Sequence, residues 1–222
     1  MTVLVAGGTG FLGTAVVREL IRSGHDVAAT WVIEAERERL GSEPVELIEA
    51  DLFDPDAARA AVDAVEDLEA AVNLVGGFAD GPKLHETDPA EFDRLVQLNL
   101  KPAFLLARAA VPRLIERGGG AYVCVSARTA LRPYPGGGAY SVAKAAVLAL
   151  VNALDVEYRG DAVRCNAILP SVIDTPANRE AQPNADHSKW VKPEEIAKVV
   201  CFLVSGDSAV TSGAAVPVYG RA

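Results

Sequence analysis

The chain has 222 residues, half of them apolar, and a formal net charge of −9. This length and composition fit one globular domain with a sizeable core. Nucleic-acid backbones require a basic stripe, and the acidic sequence offers none, so we expect no nucleic-acid partner.

The three cysteines lie in apolar runs, and no two have the spacing of metal ligands; they are Cys124, Cys165 and Cys201. This placement predicts buried, reduced thiols, no metal site and a cytoplasmic location. The sequence enters a strand pattern at once, without an export signal. Apolar runs stay well short of about 20 residues, so no membrane span is expected.

Strand-like and helix-like segments alternate along the chain. The predicted strands are residues 2–7, 26–32, 45–50, 69–76, 121–126, 162–169 and 214–219. The predicted helices are residues 11–22, 34–40, 54–65, 88–117, 139–158 and 193–204, with bends at Pro102 and Pro112. Such alternation predicts crossover connections and therefore an α/β fold, a single doubly wound parallel sheet with helices on both faces. The irregular segment 171–192 has the length of a lid.

The first strand runs into the stretch Gly8-Thr9-Gly10-Phe11-Leu12-Gly13, a G-x-G-x-x-G that opens the first helix. Glycines there allow a tight turn and close approach of the backbone to a pyrophosphate, and the helix N-terminus favours the anion. In this strand–turn–helix context the motif predicts dinucleotide binding. The alternative is a glycine-rich turn needed only for packing.

The end of the second strand bears on which dinucleotide binds. NAD enzymes carry an acidic residue there and NADP enzymes an arginine nearby, whereas this chain has Thr30-Trp31-Val32. Glu34, slightly beyond, either reaches a ribose hydroxyl or is a solvated helix residue. The absence of a well-placed cation favours NAD over NADP. Asp51 either accepts a hydrogen bond from the adenine amino group or caps the helix that begins at Asp54.

Tyr140 and Lys144 stand four residues apart at the start of the helix that follows the fifth strand, so they share one helix face. A phenol with an ordinary pKa near 10 is a poor proton donor or acceptor at neutral pH. An ammonium beside it, together with a nicotinamide cation, favours the phenolate and lowers that pKa. The pair therefore predicts acid–base chemistry.

Over essentially its whole length the chain resembles the short-chain dehydrogenases/reductases. The resemblance rests on the glycine turn 7–13, Asp51-Leu52, "VNLVGG" at 72–77, Asn99, "AYSVAK" with Tyr140 and Lys144, and "RCNAILPSVIDTP" at 164–176.

The resemblance implies one NAD(P)-binding Rossmann domain over residues 1–222, with about seven parallel strands and a substrate lid near 171–192. It implies an oxidoreductase that transfers a hydride between nicotinamide and a small carbonyl or alcohol substrate. Tyr140 would transfer the proton, Lys144 would hold the nicotinamide ribose, and Asn99 would complete a water relay. Dimers or tetramers would form through the long helices. The residues implied at the cofactor are Gly7, Gly8, Thr9, Gly10, Phe11, Leu12, Gly13, Trp31, Asp51, Leu52, Asn73, Val75, Gly76, Tyr140, Lys144, Pro170, Ile173 and Thr175.

The chain departs from the family pattern in three places. The glycines are spaced 7, 10 and 13, and Leu74 replaces the second asparagine of the sheet motif. Ala127 stands where the family carries its catalytic serine, with Ser126 one residue early. A one-residue shift turns a strand side chain to the opposite face, although a local bulge would restore it. Ser126 is therefore either a catalytic or a structural hydroxyl.

These departures leave two alternatives open. Dihydropteridine reductases within the family share the glycine spacing and lack the serine, which points to a quinonoid or C=N acceptor. The second alternative is a dinucleotide-binding regulator with little catalysis. Arg128 and Arg132 flank the loop before Tyr140, where they either meet an anionic substrate or are solvated.

Overall fold

A computed structural model describes residues 1–221 of the chain. Its centre is one parallel sheet of seven strands in the order β3-β2-β1-β4-β5-β6-β7. The strands are β1 (Thr2–Ala6), β2 (Asp26–Trp31), β3 (Glu46–Glu49), β4 (Leu68–Asn73), β5 (Gly120–Val125), β6 (Val163–Pro170) and β7 (Ala215–Val218). The order reverses between β1 and β4, and in such sheets ligands bind outside the carboxyl ends of the strands at that point.

The helices that connect these strands cover both faces of the sheet. They are α1 (Phe11–Arg22), α2 (Glu34–Arg37), α3 (Pro55–Asp63), α4 (Pro89–Glu116), α5 (Gly138–Tyr158), α6 (Pro176–Ala181) and α7 (Pro193–Val204). One apolar core lies beneath α3, α4 and α5, and a second beneath α1 and α7. Strand residues alternate between the two cores, as with Tyr122 in the first and Val123 in the second. The predicted doubly wound sheet is confirmed.

Two elements differ from the sequence-based prediction. The segment 171–192, expected to be irregular, contains α6, which begins where the Thr175 hydroxyl accepts a hydrogen bond from Asn178 N and a proline follows in the first turn. Helix α2 ends at Arg37 rather than residue 40. Helix α4 is assigned as a single helix through Pro102 and Pro112.

Helix α5 is apolar enough to resemble a membrane span. In the described part of the chain, the stretch Gly138–Asp161 is the one that combines the length and hydropathy of such a span, and 44% of its most apolar window is buried in the domain. The helix packs against α4 and β6. This packing accounts for its composition as that of a core helix.

Candidate functional site

The glycine turn between β1 and α1 is held together by contacts that exclude side chains. Gly7 has φ +75°, a left-handed conformation that favours glycine. A Cβ on Gly8 would lie 2.6 Å from the Ala29 Cβ, and one on Gly13 would lie 2.7 Å from the Gly8 Cα. These three positions therefore require glycine for the turn and for packing.

Gly10 differs from its neighbours because nothing in the protein crowds it. It is the N-cap of α1 with φ −66°, and a Cβ there would come no closer than 3.5 Å to any atom of the described residues. It faces a cavity of about 210 Å³ that lies along the turn and the ends of β2, β3 and β4. The free space at this glycine suits a ligand that approaches the helix N-terminus.

This nucleotide cavity contains many of the residues predicted at the cofactor. Those that line it are Gly7, Thr9, Gly10, Trp31, Asp51, Leu52, Val75 and Gly76. Asn73 lies behind the cavity, 1% exposed, and its Oδ1 has no hydrogen-bond partner within residues 1–221. Phe11 instead lies outside the cavity, where the Arg39 guanidinium stacks over it at 4.2 Å from the centroid of the Phe11 ring. Gly8, Leu12 and Gly13 do not line it either.

Glu36 is the cavity residue that matters most among those not predicted from the sequence. Thr30, Val32, Phe53 and Leu74 were missed as well. The Glu36 carboxylate lies 3.5 Å from the Thr9 hydroxyl and 2.9 Å from the Arg39 guanidinium. Glu34, the acidic residue singled out from the sequence, is 71% exposed and pairs with Arg37. The helical turn of α2 brings the second acid toward the cavity, a placement that the strand pattern alone does not show.

The structure distinguishes the two roles predicted for Asp51, contact with the adenine and capping of α3. Asp54 itself caps α3, since its Oδ1 accepts hydrogen bonds from Asp56 N and Ala57 N at 2.7 and 3.0 Å. Asp51 accepts from Phe53 N at 2.9 Å and lines the nucleotide cavity. The capping alternative is therefore wrong.

Tyr140 and Lys144 share a face of α5, as predicted from their spacing. The Lys144 ammonium lies 5.8 Å from the centroid of the Tyr140 ring and donates a hydrogen bond to Val125 O at 3.1 Å. Phe78 packs edge-on against Tyr140 with centroids 5.1 Å apart. Burial raises the pKa of the Tyr140 phenol and lowers the pKa of Lys144 to about 8. Burial thus acts against the predicted lowering of the phenol pKa, because it removes water from the phenolate.

Asn99, from α4, fixes the loop that follows β4. Its Oδ1 accepts a hydrogen bond from Gly77 N at 3.1 Å, and its Nδ2 donates to Gly77 O at 3.0 Å and Leu95 O at 2.9 Å. A Cβ on Gly76 would lie 2.7 Å from Asn99 Oδ1 and 3.1 Å from the Lys144 Nζ. Asn99, Gly76 and Lys144 therefore meet at one point beside the nucleotide cavity.

Ser126 is turned away from this meeting point. Its hydroxyl donates to the backbone carbonyl of Lys144 at 2.8 Å, and the residue is 1% exposed. It lies on the α5 side of the sheet end, whereas Ala127 lines the adjoining cavity. The bulge that would restore Ser126 to the cavity is not present. This geometry contradicts direct contact between Ser126 and a substrate, because the hydroxyl is already bonded inside the protein.

A second cavity of about 500 Å³ opens at Tyr140, and we call it the substrate cavity. Its lining is Phe78, Asp80, Ala127, Arg128, Thr129, Arg132, Tyr134, Tyr140, Pro170, Ser171, Val172, Ile173, Asn178 and Gln182. Pro170 and Ile173, predicted at the cofactor, are among these residues. Thr175 is not, since its hydroxyl caps α6.

The residues present fit a bound dinucleotide. Gly10 leaves a space that a side chain would fill, Asn73 holds an unpaired buried oxygen, and Lys144 reaches the loop that lines the nucleotide cavity. No group of three or more potential metal ligands occurs within residues 1–221. The fold and the two cavities define a dinucleotide-binding α/β protein with a tyrosine–lysine pair at the junction of its cavities.

Comparisons with known proteins identify the family. Residues 9–220 match the family described as enoyl-(acyl carrier protein) reductase. Dehydrogenase/reductase SDR family member 4 of Bos taurus is 31% identical over 98% of this chain and 85% of that protein. 2-(R)-hydroxypropyl-CoM dehydrogenase of Xanthobacter autotrophicus (strain ATCC BAA-1158 / Py2) is 28% identical over 98% of this chain and 96% of that protein.

Solved structures agree. A short-chain type dehydrogenase/reductase from Mycobacterium ulcerans, 26% identical, superposes with a TM-score of 0.91 over 99% of this chain and 88% of that one. The chain belongs to the short-chain dehydrogenase/reductase family. The predicted class, an NAD(P)-dependent oxidoreductase, is confirmed with it.

Proposed function

We propose that this protein reduces or oxidises a small carbonyl or alcohol substrate in the substrate cavity, with Tyr140 as the group that transfers the proton. The lining of that cavity supports the proposal. Within the described chain, the other lining hydroxyls are committed: Tyr134 to Asp80, Thr129 to Ser141, and Ser171 to the Tyr219 carbonyl. The Tyr140 hydroxyl has no such partner there, so it is the one free to meet a substrate oxygen.

Lys144 links the two cavities. Its ammonium is held by Val125 O at 3.1 Å and lies beside Gly76, which lines the nucleotide cavity. An ammonium there would bind the ribose hydroxyls next to the nicotinamide. Asn99, which fixes the same loop, would keep Gly76 close enough for that contact. The position of Lys144 supports the role predicted for it. For Asn99 we propose a positioning role instead of the predicted water relay, because its side-chain amide is bonded to the backbone of Gly77 and Leu95.

The bound nicotinamide supplies or accepts the hydride. In the reducing direction, the substrate oxygen needs a proton donor as negative charge develops on it. Burial raises the pKa of Tyr140, so the phenol is protonated at neutral pH, and an alkoxide oxygen, which is more basic than a phenolate, would take that proton. In the oxidising direction the same group must lose its proton. That step depends on Lys144 together with the positive charge of an oxidised nicotinamide.

We propose NAD rather than NADP as the cofactor. The support is Glu36, an acidic side chain in the lining of the nucleotide cavity, which would accept hydrogen bonds from a ribose hydroxyl and repel a phosphate there. Two arginines lie beside this cavity, contrary to the expectation that no cation is well placed there, but each forms an ion pair with a carboxylate. Arg37 pairs with Glu34 and stacks over Trp31 at 4.6 Å, and Arg39 pairs with Glu36.

We propose a homodimer or homotetramer built through α4 and α5. The exposed face of these helices carries an apolar groove of about 540 Å³. Phe104 lines it and is 50% exposed, and Val156, on the same helix pair, is 73% exposed. A second copy of the chain presenting the same two helices would cover these side chains, as isologous interfaces do.

We propose a cytoplasmic location, supported by the thiols. Cys124 and Cys165 are buried and unpaired, and burial raises the pKa of each thiol to about 12. Such thiols are unreactive small apolar groups and form no disulfide framework. Cys201, also predicted to be buried, is only partly buried.

The segment 171–192, with α6 in it, would act as the substrate lid, since Asn178 and Gln182 line the cavity.

The names of relatives guide the substrate panel. One relative, 32% identical over 69% of this chain and 70% of its own length, is the 4-formylbenzenesulfonate dehydrogenase of Comamonas testosteroni. Another is the hydroxypropyl-CoM dehydrogenase already mentioned. Together these names cover an aldehyde and a secondary alcohol, so both substrate types belong in the test.

The test combines binding with label transfer. NADH and NADPH binding is measured by fluorescence, and NADH deuterated at C4 is then incubated with aldehydes, ketones, a quinone and a cyclic imine. We expect deuterium on the former carbonyl carbon with wild type and a loss of transfer with Tyr140→Phe. Turnover of the quinone or imine alone would favour the dihydropteridine-reductase-like alternative; quinone turnover is followed as NADH oxidation, because a label on a hydroquinone oxygen exchanges with water. Tight binding without any transfer would favour a regulator and contradict the proposal.

A further inference from the structure

We propose that Arg128 and Arg132 form an anion-binding subsite in the substrate cavity, so that the substrate is a small carbonyl or hydroxy compound bearing a carboxylate or sulfonate. This inference rests on the proposed function of the same site. It assigns the substrate class, which the tyrosine–lysine pair leaves open. Both arginines line the cavity into which Tyr140 opens.

The backbone holds the two arginines together. A short 3₁₀ helix at Arg128–Ala130 follows Ala127, and Arg132 N donates to Arg128 O at 3.0 Å. One turn of chain therefore separates the two side chains, which project from the same side of the loop. Each guanidinium group can bind a carboxylate or sulfonate through two parallel N–H donors, so either arginine suits an anionic group.

The Arg128 side chain is held in place by an aromatic ring, and it has no carboxylate partner among residues 1–221. Its guanidinium lies over the Tyr219 ring, 5.2 Å from the centroid, and the Tyr219 backbone is anchored by the Ser171 hydroxyl at 2.7 Å. The side chain is half-buried, yet no carboxylate of residues 1–221 lies within ion-pair distance of it. Stacking restricts the side chain in advance, so little rotamer entropy is lost when an anion binds.

The charges around the cavity leave this subsite positive. The one acidic side chain in the lining is Asp80, and it accepts a hydrogen bond from the Tyr134 hydroxyl. Arg132 likewise has no ion-pair partner in the described chain. In a cavity partly shielded from water, two cations against one hydrogen-bonded carboxylate attract an anion more strongly than they would in bulk solvent.

The cavity volume of about 500 Å³ limits the substrate to a small molecule. A carboxylate or sulfonate held at Arg128 would orient the molecule, with its carbonyl directed to Tyr140 at the other part of the lining. Neutral analogues would enter without this orientation. The site would therefore discriminate by charge more than by shape.

The test uses a matched pair of substrates, 4-formylbenzoate and its methyl ester, with NADH and the full chain. The quantity measured is the ratio of kcat/KM for the acid to that for the ester. We expect wild type to favour the acid by about 100-fold and Arg128→Met to reduce that ratio by about 10- to 100-fold, as expected for a charged hydrogen bond. Arg132→Met should reduce it less, because its side chain is more exposed. Arg128→Lys should restore part of the ratio.

Arg59→Met is the control, since Arg59 is an exposed arginine on α3 away from both cavities. A ratio near one in wild type, or one unchanged by either cavity variant, would overturn the subsite while leaving the oxidoreductase in place. A second readout is independent of turnover: benzoate binding to the NADH-loaded protein by calorimetry. Binding that weakens in Arg128→Met but not in Arg59→Met supports the subsite even if neither aldehyde is reduced. Absence of benzoate binding in wild type overturns it.

Discussion

The two cavities at the carboxyl edge of the sheet are built in different ways. The nucleotide cavity is shaped largely by backbone, and Gly8 and Gly13 are in contacts that no side chain can share. The substrate cavity is shaped by side chains from three loops, including Phe78, Tyr134 and Ile173, and from α5 and α6. The first therefore constrains residue type more closely than the second.

The largest expected effect on the nucleotide cavity is that of Gly13→Ala, which tests whether the glycine turn excludes side chains. The new Cβ would lie 2.7 Å from the Gly8 Cα and closer still to the Gly7 carbonyl, so backbone must move. We expect a loss of about 3 kcal/mol or more in the free energy of unfolding, measured by urea denaturation. The matched variant is Gly10→Ala, whose Cβ meets no protein atom within 3.5 Å.

Gly10→Ala should change stability by less than about 1 kcal/mol, a loss typical of an N-cap exchange. It should nevertheless weaken NADH binding about tenfold or more, because the methyl group occupies space beside the helix N-terminus. Fluorescence titration measures this loss. Equal stability losses in the two variants would show that Gly10 serves packing alone, contrary to the account.

At the substrate cavity, burial of Lys144 should make the unfolding free energy of the protein depend on pH. Burial lowers its folded-state pKa to about 8 from an ordinary value of 10.5, so the unfolded chain holds a proton that the folded chain releases between these two pH values. Stability therefore rises with pH across that window and is penalised below it. Compared with Lys144→Met, wild type should gain about 3 kcal/mol in unfolding free energy as pH rises through the window.

Comparison with Lys144→Met removes the pH dependence contributed by groups that both proteins share. Tyr122 is one such group, because burial raises the pKa of its phenol. Urea denaturation at several pH values gives the difference curve. A flat curve would mean that the ammonium is solvated in the folded protein. Lys144 would then not be held at the junction of the cavities as described.

On the nucleotide side, Glu36→Gln sharpens the choice of cofactor. Removing the carboxylate that lines the cavity should shift the ratio of kcat/KM values for NADH and NADPH toward NADPH by about tenfold, since a charge repulsion and a ribose hydrogen bond are lost together. Glu34→Gln is the control, because that side chain is exposed and outside the lining. A preference of wild type for NADPH, or an equal shift in both variants, would contradict NAD as the cofactor.

The smallest expected effect is that of Ser126→Ala. The variant loses one hydrogen bond, from the hydroxyl to the Lys144 carbonyl, which corresponds to about 1 kcal/mol of stability. Turnover should fall by less than about tenfold, because the hydroxyl does not reach the substrate cavity. Thermal unfolding and steady-state kinetics check both parts. Unchanged stability with abolished turnover would reverse the assignment.

The same contrast explains what could be predicted from the sequence. The glycine turn and the pair Tyr140–Lys144 were predictable because a backbone turn and a helical repeat fix their geometry. Glu36 was missed because its position depends on how α2 returns to the cavity. The orientation of Ser126 and the pKa of Tyr140 depend on neighbours brought together by the fold, through burial and hydrogen bonds that no local pattern shows.

The most direct test of the central claim compares Tyr140→Phe with Ser126→Ala in the same assay, with NADH and substrate saturating. We expect a loss of about 10²- to 10⁴-fold in kcat for Tyr140→Phe and less than about tenfold for Ser126→Ala, with NADH binding retained in both. A large loss for Ser126→Ala with Tyr140→Phe still active would contradict this prediction. The proton would then pass through a group other than Tyr140, whose hydroxyl is the one without a protein partner among the cavity residues that the structure describes.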